Sequence, residues 1–321
     1  MRRNSYTLTE YHTFGANTTT QVDLPESGYI TQIDCLLHLN VTGATSVTPK
    51  CTETADELAR IIDSCTIKAS RARSYFDISD GRQWFWWNYL NYEGQMQMDT
   101  LVSAGETADL YGLFRIHLGF DPTNPFDPTV VIPGAKLSNL QHNVTWGSAS
   151  DLGTGYTINS GDMKLTIYEI TLDEGELESD LWPDGLVDPR VEARIIDIDA
   201  VYSNLSLEDD VPVGDTLYQT VIMVVDSDDC RTDDDVSAVG VKFPKKRETP
   251  WDIDWQPLKA KTRSLYRIPS SVTGVTMIPW EELSGRAVGL DLGAAQVGDC
   301  RLCFTTEASG GDIHLLYFAY S

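Results

Sequence analysis

Ser160-Gly161-Asp162-Met163-Lys164-Leu165-Thr166-Ile167-Tyr168-Glu169-Ile170-Thr171 is a Gly-Asp turn that opens directly into alternating apolar and polar residues. Alternation with period two puts one set of side chains on each face of an extended chain, so the run reads as a half-buried strand. The end of the chain repeats the arrangement, with Gly310-Gly311-Asp312 feeding the strand Ile313–Tyr320. Each half also opens alike: a turn (Leu24-Pro25-Glu26-Ser27-Gly28; Val211-Pro212-Val213-Gly214-Asp215) precedes an apolar strand (Tyr29–Val41; Leu217–Val225). Identity between the halves is too low for a sequence repeat, and duplication of a β domain is the simplest account.

Between these markers the chain is written in short β-branched and aromatic runs. In the first half they are Leu58–Ala69, Leu113–Phe120 and Asn139–Trp146; in the second, Val191–Val201, Val236–Phe243, Ser264–Ile268, Gly274–Pro279, Val288–Leu292 and Cys300–Thr305. The Pro-rich loop 121–128 and the Gly-rich loop 151–155 punctuate them. Helix signals are few: Thr54–Arg60, Arg82–Leu90 and a turn at Trp280–Leu283. Asp173–Pro189 carries seven acidic residues, no basic one and two prolines, and reads as a linker. The expected organisation is a first domain over 1–172, an acidic linker over 173–189 and a second domain over 190–321. The fold class is all-β, and roughly eight short strands per half with long connections fit two tandem jelly-roll sandwiches better than one propeller or barrel. At 321 residues the chain is long enough for two domains.

Composition narrows the function. Hydrophobic residues at 41% and aromatics at 10% describe a globular chain, and a formal charge of −24 argues against direct binding of nucleic acid, whose affinity comes from Lys and Arg. No run approaches the roughly 20 apolar residues of a membrane span, and polar residues follow Met1-Arg2-Arg3 where a signal core would stand, so synthesis in the cytosol is expected. The six cysteines are too sparse for a disulfide-stapled domain, which makes free thiols the default, and the Asn-x-Ser/Thr sequons are discounted with them.

Catalytic patterns are missing. The five histidines are scattered without Cys or carboxylate at metal spacing and read as core or edge residues; no nucleophile elbow, phosphate loop or His-Glu-x-x-His occurs. Cys300-Arg301-Leu302-Cys303 lies in a strand and has no second pair to complete a zinc site. Two segments stand out. Trp84-Phe85-Trp86-Trp87-Asn88-Tyr89-Leu90-Asn91-Tyr92 is an aromatic cluster that fits a core or subunit contact, or a ligand platform with Asn88, Asn91 and Glu93 as orienting groups. Asp226, Asp228, Asp229, Asp233, Asp234 and Asp235 crowd one loop; it lacks the glycine and closing glutamate of an EF-hand, and reads as a solvated loop or a calcium site. Lys242–Arg247 is the sole basic cluster, a solvated strand end or a docking patch for acidic surface on another copy.

Leu58–Ala69 leading into a strand, Ile78-Ser79-Asp80-Gly81-Arg82-Gln83 before the aromatic segment, Phe114–Leu118, the Asp-Pro loop, and the pair Leu137–Trp146 and Met163–Ile170 together resemble the double jelly-roll major capsid proteins of tailless icosahedral viruses, the lineage of adenovirus hexon and membrane-containing phages. The resemblance lies in strand order, loop character and duplication across nearly the whole chain. It implies a virion shell subunit without catalysis, three copies forming a pseudo-hexagonal homotrimer that contacts neighbouring trimers and minor or vertex capsid proteins, with an internal membrane beneath the shell in some members. The short loops place the chain among compact members. Trp84, Trp86, Trp87, Tyr89, Trp251 and Trp255 are the expected interface anchors, since assembly buries aromatic surface. A lectin-like β-sandwich adhesin is the rival reading, resting on the aromatic cluster and a calcium loop, and a β-sandwich glycosidase comes third.

Overall fold

The computed structural model describes residues 1–53, 55–70, 74–96, 98–211, 216–243, 248–280, 290–291 and 300–320. The expected turn beyond Trp280, most of Val288–Leu292 and the basic residues 245–247 lie outside that set. By contacts the chain divides into Met1–Pro189 and Arg190–Ser321.

Among the described residues the first unit holds nine strands: β1 Arg2–Thr7, β2 His12–Thr13, β3 Thr19–Asp23, β4 Tyr29–Pro49, β5 Ile62–Lys68, β6 Ser74–Ile78, β7 Thr107–His117, β8 Gln141–Trp146 and β9 Gly153–Thr171. One sheet runs β1-β9-β4-β7 with β2 also on β9; the facing strands run β6-β5-β8-β3. Alternation in β4 explains the sandwich. Ile33, Cys35, Leu37, Leu39 and Val41 are fully buried, while Asp34, Leu36, His38, Asn40 and Thr42 point out. Register keeps the inward set together, with Cys35 opposite Phe114 on β7 and Leu165 on β9.

The second unit repeats the plan with β10 Pro189–Asp197, β11 Leu207–Asp210, β12 Thr216–Val225, β13 Val236–Phe243, β14 Glu248–Asp254, β15 Val275–Pro279, β16 Leu290–Asp291, β17 Arg301–Thr306 and β18 Asp312–Tyr320. The order β15-β12-β18-β10 forms one layer, with β16 beside β12, and β11-β17-β13-β14 the other. Ile222, Val224, Leu302, Phe304, Leu315 and Tyr317 meet in its core.

Helices are short: α1 Gly81–Asn91, α2 Ala149–Leu152, α3 Glu178–Leu181 and α4 Trp255–Leu265, with single turns of 3-10 helix at Glu57–Ile61 and Gly134–Lys136. Two expectations change. The run Leu58–Ala69 becomes a strand only at Ile62, and Ser264–Ile268, expected as a strand, holds the end of α4. Proline at position 257 is tolerated there because the first-turn amides of a helix have no intrahelical partner.

The acidic stretch 173–189 folds onto the first unit. Trp182 is buried against Tyr29 and Val131, its ring 4.7 Å from that of Tyr29, and its indole N–H donates to the Pro128 carbonyl at 2.7 Å. Cys35, Cys65, Cys300 and Cys303 are free thiols.

Candidate functional site: the aromatic helix and the acidic loop

The helix α1 starts where Asp80 caps it, its carboxylate accepting the Arg82 amide at 2.8 Å and pairing with the buried Arg82 guanidinium at 2.6 Å. Gly81 is required by packing: a Cβ there would sit 2.3 Å from the Ala59 carbonyl oxygen and 2.8 Å from Ile62 Cβ. Apolar residues occupy every face of this helix, so it is sunk in protein and does not lie on a surface. Trp84 lies between Phe76, at 5.2 Å, and Phe114, at 4.7 Å. Its indole N–H and the Asn88 amide both donate to the Arg115 carbonyl at 2.8 Å, and the Arg115 amide donates back to Asn88 at 2.7 Å. Trp86 donates to the buried Asp56 carboxylate at 2.8 Å.

The six expected anchors therefore separate. Trp84, Trp86, Trp87 and Trp255 are at most 3% exposed in the single chain, so they have no surface left to bury at a subunit contact; for these four the interface expectation is corrected to core. Tyr89 and Trp251 are half-buried and keep surface to offer. Tyr89 packs edge-on to Trp86 at 5.1 Å, and Trp251 lies against the second unit's core. The structure also removes the ligand platform on which the lectin-like reading relied, because the aromatic segment is interior.

The acidic loop is not gathered around one point. Asp226 accepts the amides of Asp228 and Cys230, each at 2.9 Å, and so closes its own turn. Asp233 is turned the other way: it accepts the Trp255 indole N–H at 2.9 Å, the Gly274 amide at 2.8 Å and a short contact from the Lys259 ammonium. Burial pushes its pKa up, but these donors outweigh it and hold Asp233 below its ordinary value. Asp235 moves the opposite way, raised by burial and then by Asp226 and Asp234. Among the described residues no three His, Cys, Asp or Glu side chains are placed to hold a metal ion, so the arrangement lends no support to the calcium expectation for Asp226, Asp228, Asp229, Asp233, Asp234 and Asp235.

Sequence reasoning missed a cluster inside the first unit. His12 Nε2 lies 2.8 Å from His142 Nδ1, and His12 Nδ1 lies 2.9 Å from the Thr20 hydroxyl. His142 Nε2 is 3.3 Å from the Cys65 sulfur and 3.8 Å from that of Cys35. The two imidazoles and the two thiols are fully buried. Burial lowers the His12 pKa to about 4 and takes His142 well below the usual range, with His12 adding to the effect; it raises both thiols. No spacing rule could have found residues drawn from positions 12, 35, 65 and 142; only the alternation that buries each one hinted at it.

No family model matches the sequence, and no curated protein matches it. Solved structures do. The chain superposes on the MCP of STIV, Sulfolobus turreted icosahedral virus, with a TM-score of 0.83 at 16% identity, over 100% of this chain and 97% of that one. It is a double jelly roll. The same double jelly roll superposes on the major capsid protein P2 of bacteriophage PM2 (TM-score 0.55, 11% identity, 100% of this chain and 98% of that one) and on the PBCV-1 virus capsid protein (0.58, 8%, 99% and 93%). At these identities the likeness is one of fold.

Proposed function

We propose that this double jelly roll is a viral major capsid protein. The supporting observation is that both units match the STIV protein, over 100% of this chain and 97% of that one. In this reading the chain is a shell subunit without turnover, made in the host cytoplasm and assembled into the virion. Three copies form a homotrimer, and six similar barrels per trimer approximate a hexagon, which lets one chain tile an icosahedral shell. Neighbouring trimers and minor or vertex capsid proteins are its partners, an internal membrane is compatible with the shell, and the charge of −24 keeps direct genome contact out of its role.

The purified protein is expected to be trimeric by light scattering and to form hexagonal arrays in negative stain. Stable monomers that never trimerise would refute the reading. Replacing the half-buried Tyr89 and Trp251 together by Ala should weaken trimers while leaving the circular dichroism of the subunit intact, since hot-spot aromatics carry much of an interface. Unchanged trimers would remove both residues from the contact.

A further inference from the structure

Residues 1–21 form an arm in which a single side chain is buried, and that side chain is His12. Its neighbours Tyr11 and Thr13 are exposed. Around it the arm is held by β1, paired along β9 from Arg2 opposite Thr171 to Thr7 opposite Thr166, and by β2, where His12 faces Met163. His12 enters the space between the sheets from the β9 side and meets His142 on β8 of the facing sheet. The relay continues through Thr20, which accepts the Trp146 indole N–H at 3.1 Å, and ends at the Cys65 thiol.

With both imidazoles neutral, each ring donates at one nitrogen and accepts at the other, and the relay closes. Among the described residues one added proton finds no anion to neutralise it, because the titratable groups bearing on the pair are each other and the thiols of Cys35 and Cys65, both held protonated by burial. A second proton would set two N–H groups against each other across 2.8 Å. We propose that the His12–His142 pair is an acid-sensitive latch that releases the N-terminal arm from the first jelly roll while the rest of the sandwich stays folded.

Other charged groups on the arm must be separated from the latch. The Met1 ammonium pairs with Asp173 at 2.9 Å and with Glu176, and Arg2 pairs with Asp173 at 2.6 Å. These carboxylates are held below their usual range by hydrogen bonds from the terminal ammonium, so they weaken only in stronger acid. His38 lies on the outer face between Asp109 and Asp162 and does not touch the pair.

Hydrogen exchange on the full chain, corrected for the intrinsic rate at each pH, tests the proposal. With His12 titrating near 4 when docked and near 6.5 when released, the opening equilibrium of residues 1–18 should rise about 20-fold from pH 7 to pH 5. Peptides covering 29–41 should keep their protection over the same interval. His12→Phe should abolish the pH dependence of the arm. Should that variant fail to fold, Asp173→Asn serves instead: the latch predicts that its pH dependence persists, and its disappearance would assign the effect to the terminal ion pairs and overturn the proposal. Equal arm protection at pH 7 and pH 5 in the natural protein would overturn it outright.

Discussion

Glu57 is the sharpest test of how the first unit holds its polar groups. It stands in the 3-10 turn under α1, is 1% exposed, and among the described residues neither carboxylate oxygen has a hydrogen-bond partner. Burial, then the charge of Asp56, raise its pKa from 4.5 to about 7, against a smaller opposing effect of Arg60. A carboxyl raised on folding contributes its full share of stability below the unfolded value and forfeits it as pH climbs through the folded one. Here that window runs from 4.5 to 7. The difference is worth about 3 kcal/mol above that window. Glu57→Gln removes the charge at nearly constant shape, so it should be neutral at pH 4 and stabilising at pH 9. At 2–4 °C per kcal/mol for a unit of this size, Tm at pH 9 should rise by roughly 6–12 °C. Differential scanning calorimetry at the two pH values is the assay. The same shift at both values, or none at pH 9, would refute the claim that Glu57 is buried without a compensating partner.

Two further substitutions test the packing. Gly81→Ala places a methyl group against backbone at 2.3 Å, so α1 must shift off its seat; a loss of about 1–3 kcal/mol is expected, read as a lower urea midpoint at constant slope. Lys259→Met leaves Asp233 facing Trp255 and Gly274 without its cation; Asp233 keeps part of its surface in solvent, so the cost at pH 7 should be about 1–3 kcal/mol. That deficit should shrink as pH falls and Asp233 protonates in both proteins, and a cost that does not vary with pH would show that the ion pair is incidental.

Much of the fold was legible in the sequence because alternation is a local signal. The inward set of β4 and the end of β9 can be read residue by residue, β18 reads as a continuous apolar run, and the tandem organisation follows from the recurrence of turn and strand. What could not be read is what depends on distant partners. Trp84–Tyr92 announces aromatic content but not whether it faces in or out; that is decided by Phe76, Phe114 and Arg115, which close around it. The helix α4 was hidden by Pro257 and a basic composition, although Asp254 before it and Trp255, Leu258, Lys259 and Thr262 at helical spacing mark its buried side. The acidic loop looked like a ligand set because its charges are dense, yet Asp226 is taken up by the amides of its own turn and Asp233 by Trp255, Lys259 and Gly274. The histidine relay joins four strands whose sequence order carries no trace of their contact.

The pairing of β1 with β9 also sets a clock for synthesis. Arg2 finds its place opposite Thr171, and Thr19 of β3 waits for Thr145, so the beginning of the chain emerges long before either partner exists. A ribosome adding roughly 5–20 residues per second leaves β1 alone for about 10–30 s. During that interval a bare strand could pair with another nascent chain. The composition of β1, Arg2-Arg3-Asn4-Ser5-Tyr6-Thr7, with two adjacent positive charges and three hydroxyl groups, discourages such a mispairing until the proper edge has been made.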